Sequence, residues 1–146
     1  MCAARPACAD ALEYVLVERS ARLRADHPDG SPFRSAEAMP SDRAVGVVLA
    51  NELLDNLAFD LVEWRDGRWH DVRVGVTDDG TFVEVLVPDD RADLPWRDAL
   101  GAVPDGARLP VQQHAAAWLR DALASLEAGR VVVIDYADTA ANLVAR

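Results

Sequence analysis

A partly parallel α/β sheet carrying an antiparallel β insertion is the fold class this sequence predicts, and three observations predict it. Three wholly apolar runs, at 14–17, 44–50 and 131–134, each end on a polar residue and are separated by segments with helical spacing. That is the pattern of buried parallel strands joined by helical crossovers. From Phe59 to Pro88 the period falls to two, with Asp66-Gly67 and Asp79-Gly80 where hairpins should turn. A chain of 146 residues, 51% hydrophobic and 27% charged, is long enough for about one domain with a real core.

Taken in order, ACADALE at 7–13 reads as the end of a helix, and Tyr14-Val15-Leu16-Val17 as a strand buried on both faces that ends at Glu18. Ser20 can cap a helical turn carrying Ala21, Leu23 and Arg24, which Pro28-Asp29-Gly30 then breaks. The run from Ala44 to Ala50 is a second such strand, leading through Asn51-Glu52 into a short helical piece from Leu53 to Asn56. Residues 59–88 form the meander, and residues 89–110, rich in Asp and Pro, read as an irregular link. From Val111 to Ala128 the residues Ala115, Leu119, Ala122, Leu123 and Leu126 recur at helical spacing, with Gly129 as the stop. Val131 to Ile134 is the third apolar strand and ends in Asp135-Tyr136. Ligands of parallel α/β sheets bind beyond the carboxyl ends of the strands. Glu18, Asn51, Glu52, Asp135 and Tyr136 therefore fall on the functional edge.

Charge narrows the classes of partner. Fifteen basic residues, all Arg, stand against 25 acidic ones, a net charge of −10. Such a field repels phosphate, which argues against a nucleic-acid or anionic-membrane surface. Cys2 and Cys8, with their single short spacing, form neither a disulfide framework nor a zinc site and predict reduced thiols in a cytoplasm. His27, His70 and His114 stand alone in different segments, so no metal is expected. No apolar run approaches the roughly 20 residues that span a bilayer, and no export signal is visible.

The segments YVLVERSARLR at 14–24, GVVLANELLDNLAF at 46–59 and GRVVVIDYAD at 129–138 together resemble the MidA-type family of S-adenosylmethionine-dependent methyltransferases. The resemblance covers nearly the whole chain, and its specific part is the N-E-L-L-D segment after a strand. It implies a class I (Rossmann-like) methyltransferase fold with S-adenosylmethionine as cofactor. A mitochondrial relative methylates an arginine of a respiratory complex I subunit, so the resemblance also implies a protein-arginine N-methyltransferase with a protein substrate. Family members open this domain with a strand and a G-x-G-x-G turn that lets backbone approach the methionine part of the cofactor. Here the eight glycines are scattered and no such turn exists. The family also continues beyond the I-D-Y strand. The expectation is therefore an internal piece of a longer enzyme, with one partial methyltransferase domain over 1–146 and the meander inserted at about 59–88. In the family's strand order the missing first strand lies between those at 14–18 and 44–50. Its absence would leave open edges, marginal stability and a tendency to form homo-oligomers.

By this resemblance Glu18 takes the ribose hydroxyls of the cofactor, since one carboxylate accepts two hydrogen bonds. Ala36 and Glu37, in the loop before the next strand, would lie near the adenine, and Asn51 would adjoin the cofactor as well. Glu52 and Asp55, three apart on a helical turn, would grip a guanidinium bidentately, with Asn51 beside them. Asp135 and Tyr136 would line the substrate side. Structural alternatives stand beside each. Glu18 can be a solvated acid paired with Arg19 or Arg22; Asn51 can cap the helix that Glu52 and Asp55 favour electrostatically; Tyr136 can be a buried hydroxyl satisfied by Asp135. Trp64, Trp69, Trp96 and Trp118 read as packing residues rather than stacking platforms. Two other functions compete with the protein-arginine enzyme: an inactive remnant serving as an interaction module, and a small-molecule methyltransferase in which Asn51 and Asp135 position a hydroxyl or amine.

Overall fold

The computed structural model describes residues 9–91, 96–97 and 100–145. Cys2 and Cys8, and the start of the helical segment expected at 7–13, lie outside them; within them that segment is a 3-10 turn, Ala9–Ala11. The mixed α/β class is as expected, and the strands among the described residues fall into three hydrogen-bonded sheets. The chain divides into two compact units, Met1–Val47 with Ala122–Arg130, and Val48–Asp121 with Val131–Arg146.

In the first unit β1 (Tyr14–Val17) pairs in parallel with β2 (Phe33–Ala36), from Tyr14 opposite Phe33 to Val17 opposite Ala36. The strand β2 corrects the expectation of a loop there: Arg34 and Ser35 interrupt any apolar run, so β2 is a strand only because β1 offers it a partner. Between them, Ser20 caps α1 (Ala21–Arg24) and accepts a hydrogen bond from the Leu23 N–H, as its side-chain chemistry predicts.

Two further strands, β3 (Ala44–Asn51) and β8 (Leu126–Ile134), form a second sheet and cross from the first unit into the other. Ala44 donates its N–H to Ser125 and Glu52 donates its N–H to Ile134, so both partners advance together and the pair is parallel. Gly129 lies inside β8 and does not stop the preceding helix, α2 (Gln113–Ala124). Its φ is +145°, and a Cβ built there would stand 1.8 Å from the Gly46 carbonyl oxygen, so only glycine allows the two backbones to approach. Burial on both faces, expected of these apolar strands, is not observed. Val45, Val47 and Leu49 on one face of β3 are 76%, 65% and 56% exposed, because β3 and β8 have only each other as hydrogen-bonded neighbours among the described residues.

The second unit is built on a four-stranded antiparallel sheet in the order β6-β5-β4-β7, from β4 (Asp60–Arg65), β5 (Arg68–Val76), β6 (Phe82–Pro88) and β7 (Arg108–Val111). Both expected hairpins form. Asp66 and Gly67 take φ of +53° and +76°, the left-handed pair of a tight hairpin turn. The strand β7 corrects the reading of 89–110 as wholly irregular. Pro110 is tolerated because β7 is the sheet edge, where one side of the backbone needs no partner. Val62, Trp69, Leu109 and Val111 pack on one face with Val144 of α3 (Ala140–Val144). Trp64, Trp69 and Trp96 join them in edge-to-face contacts at 5.3 and 5.4 Å, so three of the four tryptophans are core.

The opposite face holds Glu63, which is 3% exposed. Arg65 and Arg108 both donate to its carboxylate, at 2.5 and 2.8 Å, and Arg108 also forks onto Glu84 of β6. The register sets Arg108 opposite Glu63, then His70, then Pro88, with Glu84 four residues farther along. A flat sheet would separate Arg108 and Glu84 by roughly 20 Å; their contact shows that the sheet is coiled until diagonal corners meet. At the other margin Asp89, its side chain 1% exposed, accepts from Arg91 and Arg97.

The hydrogen bond from Arg65 holds the Glu63 carboxyl below its usual value of 4.5, outweighing burial, with Arg108 adding to it. Burial pushes the Asp89 carboxyl up from 3.8, but its bonds from Arg91 outweigh that and leave it lowered. Both groups therefore contribute stability that is complete above their unfolded values and is lost as pH falls through the folded ones. In an acid titration followed by the near-ultraviolet dichroism of the tryptophan cluster, stability declines below about pH 4.5. The decline is shallower in Glu63→Gln; an identical acid limb in that variant would contradict the role of Glu63.

Candidate functional site

At the carboxyl end of β1, the Glu18 N–H continues the ladder to the Ala36 carbonyl, which sets Glu18 beside the end of β2. One carboxylate oxygen, Oε1, accepts the Ser20 N–H at 2.7 Å, leaving Oε2 without a hydrogen bond among the described residues. The expected pairing with Arg19 or Arg22 does not occur. Arg24 instead donates through one nitrogen to the carbonyls of Glu18 and Arg19, each at 2.7 Å, and through the other to Glu37 at 3.4 Å. Glu18, Ala36 and Glu37 are thus brought together, with Ala36 the last residue of a strand rather than part of a loop. Arg24 is the element that sequence reasoning missed; its signal was its place on the last turn of a helix that starts three residues after Glu18.

At the carboxyl end of β3 and β8, Asn51 is the last residue of β3 and Glu52 follows with φ +46°. A non-glycine residue in the left-handed region costs roughly 1–2 kcal/mol, and such outliers cluster at functional sites. The helical piece is a 3-10 turn, Leu54–Asn56, which Glu52 precedes, so the expected helical turn carrying both Glu52 and Asp55 does not form. Nor does Asn51 cap it. The turn's first N–H, that of Leu54, is taken by Asp135 Oδ2 at 2.9 Å, while Asp135 Oδ1 accepts the Tyr136 N–H. Both Asp135 oxygens are therefore committed to backbone.

Tyr136 is 72% exposed and donates its hydroxyl to Asp55 Oδ2 at 2.5 Å, so neither the burial nor the Asp135 partner of the structural alternative is observed. Asp55 Oδ1 accepts from Asn56. The bond to Asp55 raises the Tyr136 phenol above its usual 10.0, and the charges of Asp55, Asp135 and Glu52 disfavour its ionisation further. The Tyr136 hydroxyl is thus held by Asp55, with Asp135 on the neighbouring backbone N–H and the Glu52 charge acting from farther away. Among the described residues only Glu52 of the three takes no hydrogen bond on its carboxylate. An arrangement with one uncommitted carboxylate beside two held ones suits a cation that needs orientation. No group of three potential metal ligands occurs among the described residues, and no helix there is long and apolar enough to cross a membrane.

Residues 2–145 match the protein family described as "Putative S-adenosyl-L-methionine-dependent methyltransferase". A Burkholderia thailandensis protein whose crystal structure is bound to S-adenosyl-homocysteine superposes with a TM-score of 0.74 and 30% identity, over 86% of this chain and 35% of its own. A native crystal structure of a protein of the same superfamily and organism gives 0.70 and 30%, over 86% and 36%. The chain spans about a third of the length of these relatives. A search of the curated proteins finds no match.

Two outcomes check this geometry. Asp135→Ala, which removes the cap of the 3-10 turn, destabilises the chain by about 0.5–2 kcal/mol, whereas Glu52→Gly, which relieves the left-handed residue, is neutral or stabilising by up to about 1 kcal/mol. Urea unfolding measures both, and equal losses would refute the division of labour. In an alkaline titration at the tyrosinate absorbance, Asp55→Asn brings the Tyr136 transition to lower pH than in the wild type. An unmoved transition would show that the hydroxyl has another partner.

Proposed function

The chain belongs to this family of S-adenosyl-L-methionine-dependent methyltransferases, and from that premise we propose that it holds the ribose end of S-adenosylmethionine through Glu18 and presents a cationic acceptor, a protein arginine, to Glu52. The observation that supports the reading most is the Glu18 carboxylate at the end of a parallel strand, with Oε2 uncommitted and Ala36 and Glu37 alongside. A carboxylate so placed fits a ribose diol. The fit is to one end of the cofactor. Gly30, Gly67, Gly80, Gly101 and Gly106 all take positive φ and all lie outside the strands, and none is followed by the spaced glycines that admit a methionine moiety.

When bound, S-adenosylmethionine supplies an electrophilic methyl group on a sulfonium. The chain's own residues supply position and charge. Ser20 and Arg24 fix the Glu18 backbone and side chain, so the carboxylate is presented in one orientation. A planar guanidinium pairs well with a carboxylate, and Glu52 is the carboxylate free to take it. Asp55 is tied to Tyr136 and Asn56 and acts as a positioning residue, which revises its expected role as a second gripping acid. Asp135 holds the turn. Net charge of −10 favours encounter with a cationic protein surface. The cysteine usage supports a cytoplasmic setting, and the acidic balance argues against an anionic membrane surface.

Calorimetry with S-adenosyl-homocysteine tests the cofactor half. The expected result is weak binding, with a dissociation constant above the micromolar range that corresponds to about −8 kcal/mol. Glu18→Ala then loses a further 1.5–3 kcal/mol or so, the range for a charge-assisted hydrogen bond. Binding that is indifferent to Glu18→Ala would overturn the assignment.

A further inference from the structure

In the second unit, a half-open cavity of about 250 Å³ lies against α2. Leu54, Ala115, Ala116, Trp118, Leu119 and Val133 line it, and Gln112 supplies the one polar side chain. The fold does not fill it: Leu119 is 41% exposed and Val133 39%, although both belong to apolar stretches that a packed helix and strand would cover. Apolar lining of this kind holds apolar ligands, and a cavity of roughly 150 Å³ already accepts benzene.

Two walls of the cavity lead directly to the acidic tip. Leu54 is held by Asp135 through its N–H, and the next residue, Asp55, is bonded to the Tyr136 hydroxyl. Val133 lies on β8 two positions before Asp135, a distance of roughly 7 Å along a strand. An apolar hollow and two carboxylates, Asp55 and Asp135, therefore share the same turn and the same strand end, and Glu52 lies two residues before Leu54 in the chain. A ligand that satisfied both would carry a positive charge and a bulky apolar group within about one residue of each other.

We infer that the cavity at Leu54, Trp118 and Val133 is the specificity pocket of the acceptor site, and that it takes a large apolar side chain adjacent in sequence to the acceptor arginine. The inference rests on the reading of Glu52 as the residue that orients a cation. It adds a substrate class to that reading: peptide segments in which arginine neighbours a phenylalanine or a comparably large aliphatic residue. Charge alone would not distinguish such segments from other arginine-bearing surfaces, because a carboxylate reads only the guanidinium. The cavity reads its neighbour, at the scale on which burial of one apolar side chain discriminates.

The test uses the 146-residue chain and three blocked dipeptides, Arg-Phe, Arg-Ala and Ala-Phe, titrated while following the Trp118 indole N–H resonance. Arg-Phe is expected to bind about tenfold more tightly than Arg-Ala, a difference of ~1.4 kcal/mol. Ala116→Phe, which fills the cavity from an exposed helical position, brings Arg-Phe down to the level of Arg-Ala. Glu52→Gln weakens both arginine peptides and leaves Ala-Phe unchanged. Equal binding of Arg-Phe and Arg-Ala that Glu52→Gln abolishes would overturn the pocket while leaving the cation reading intact. Binding of Arg-Phe and Ala-Phe alike, lost in Ala116→Phe and indifferent to Glu52→Gln, would remove the cation reading and the inference with it. Failure of all three peptides to bind overturns both. A concentration-dependent dimer that Ala116→Phe dissolves would assign the cavity to a second copy of the chain and also overturn the inference.

Discussion

The arrangement of the polar strand tips depends on one strand pairing. Because β3 and β8 run parallel and end together, the Glu52 N–H reaches the Ile134 carbonyl. Residues 81 positions apart in the chain then become neighbours at the tip: Leu54 with Asp135, and Asp55 with Tyr136. The pairing itself tolerates almost no substitution at Gly129, where any side chain would collide with the Gly46 carbonyl. That glycine matters through what its missing side chain permits, the close approach of the two backbones.

The meander depends on a different interaction. Its apolar face is a compact core around Val62 and Trp69, while its polar face buries Glu63 between two guanidinium groups. Burying a carboxylate is costly unless it is paired, and here Arg65 pairs it together with Arg108, which lies directly opposite on the neighbouring strand β7. The same arginine then ties β7 to β6 through Glu84. This sheet therefore has both an apolar and an ionic reason to hold its shape. The β3–β8 pair has neither in comparable measure, with Val45, Val47 and Leu49 left exposed. The polar strand tips sit on that less covered framework, and the strain at Glu52 is held there by the hydrogen bonds around it.

Local chemistry was legible in the sequence, and distant pairing was not. Asp66-Gly67 announced its hairpin because few other residues accept two successive positive φ values, and Ser20 announced its helix because a hydroxyl satisfies a free N–H three residues on. The strand β2 was invisible because Phe33-Arg34-Ser35-Ala36 has no apolar run of its own. The strand β7 was masked by Pro110, which an edge can accept and an interior strand cannot. Gly129 read as a helix stop because its real constraint, contact with Gly46, lies 83 positions away in sequence. That these polar residues lie at strand ends was legible, since polar tips follow apolar runs. Their division of labour could not be read, because Asp135 as cap and Asp55 as partner of Tyr136 are tertiary facts.

The central claim is that the carboxyl end of β1 and β2 is the cofactor edge of this chain. A nitrogen–proton correlation spectrum recorded during titration with S-adenosyl-homocysteine tests it most directly. The account predicts that the largest shifts fall on Glu18, Arg19, Ser20, Ala36 and Glu37, while the amides of β4 to β6 stay in place. Shifts centred on the meander, with those five amides unmoved, would contradict it.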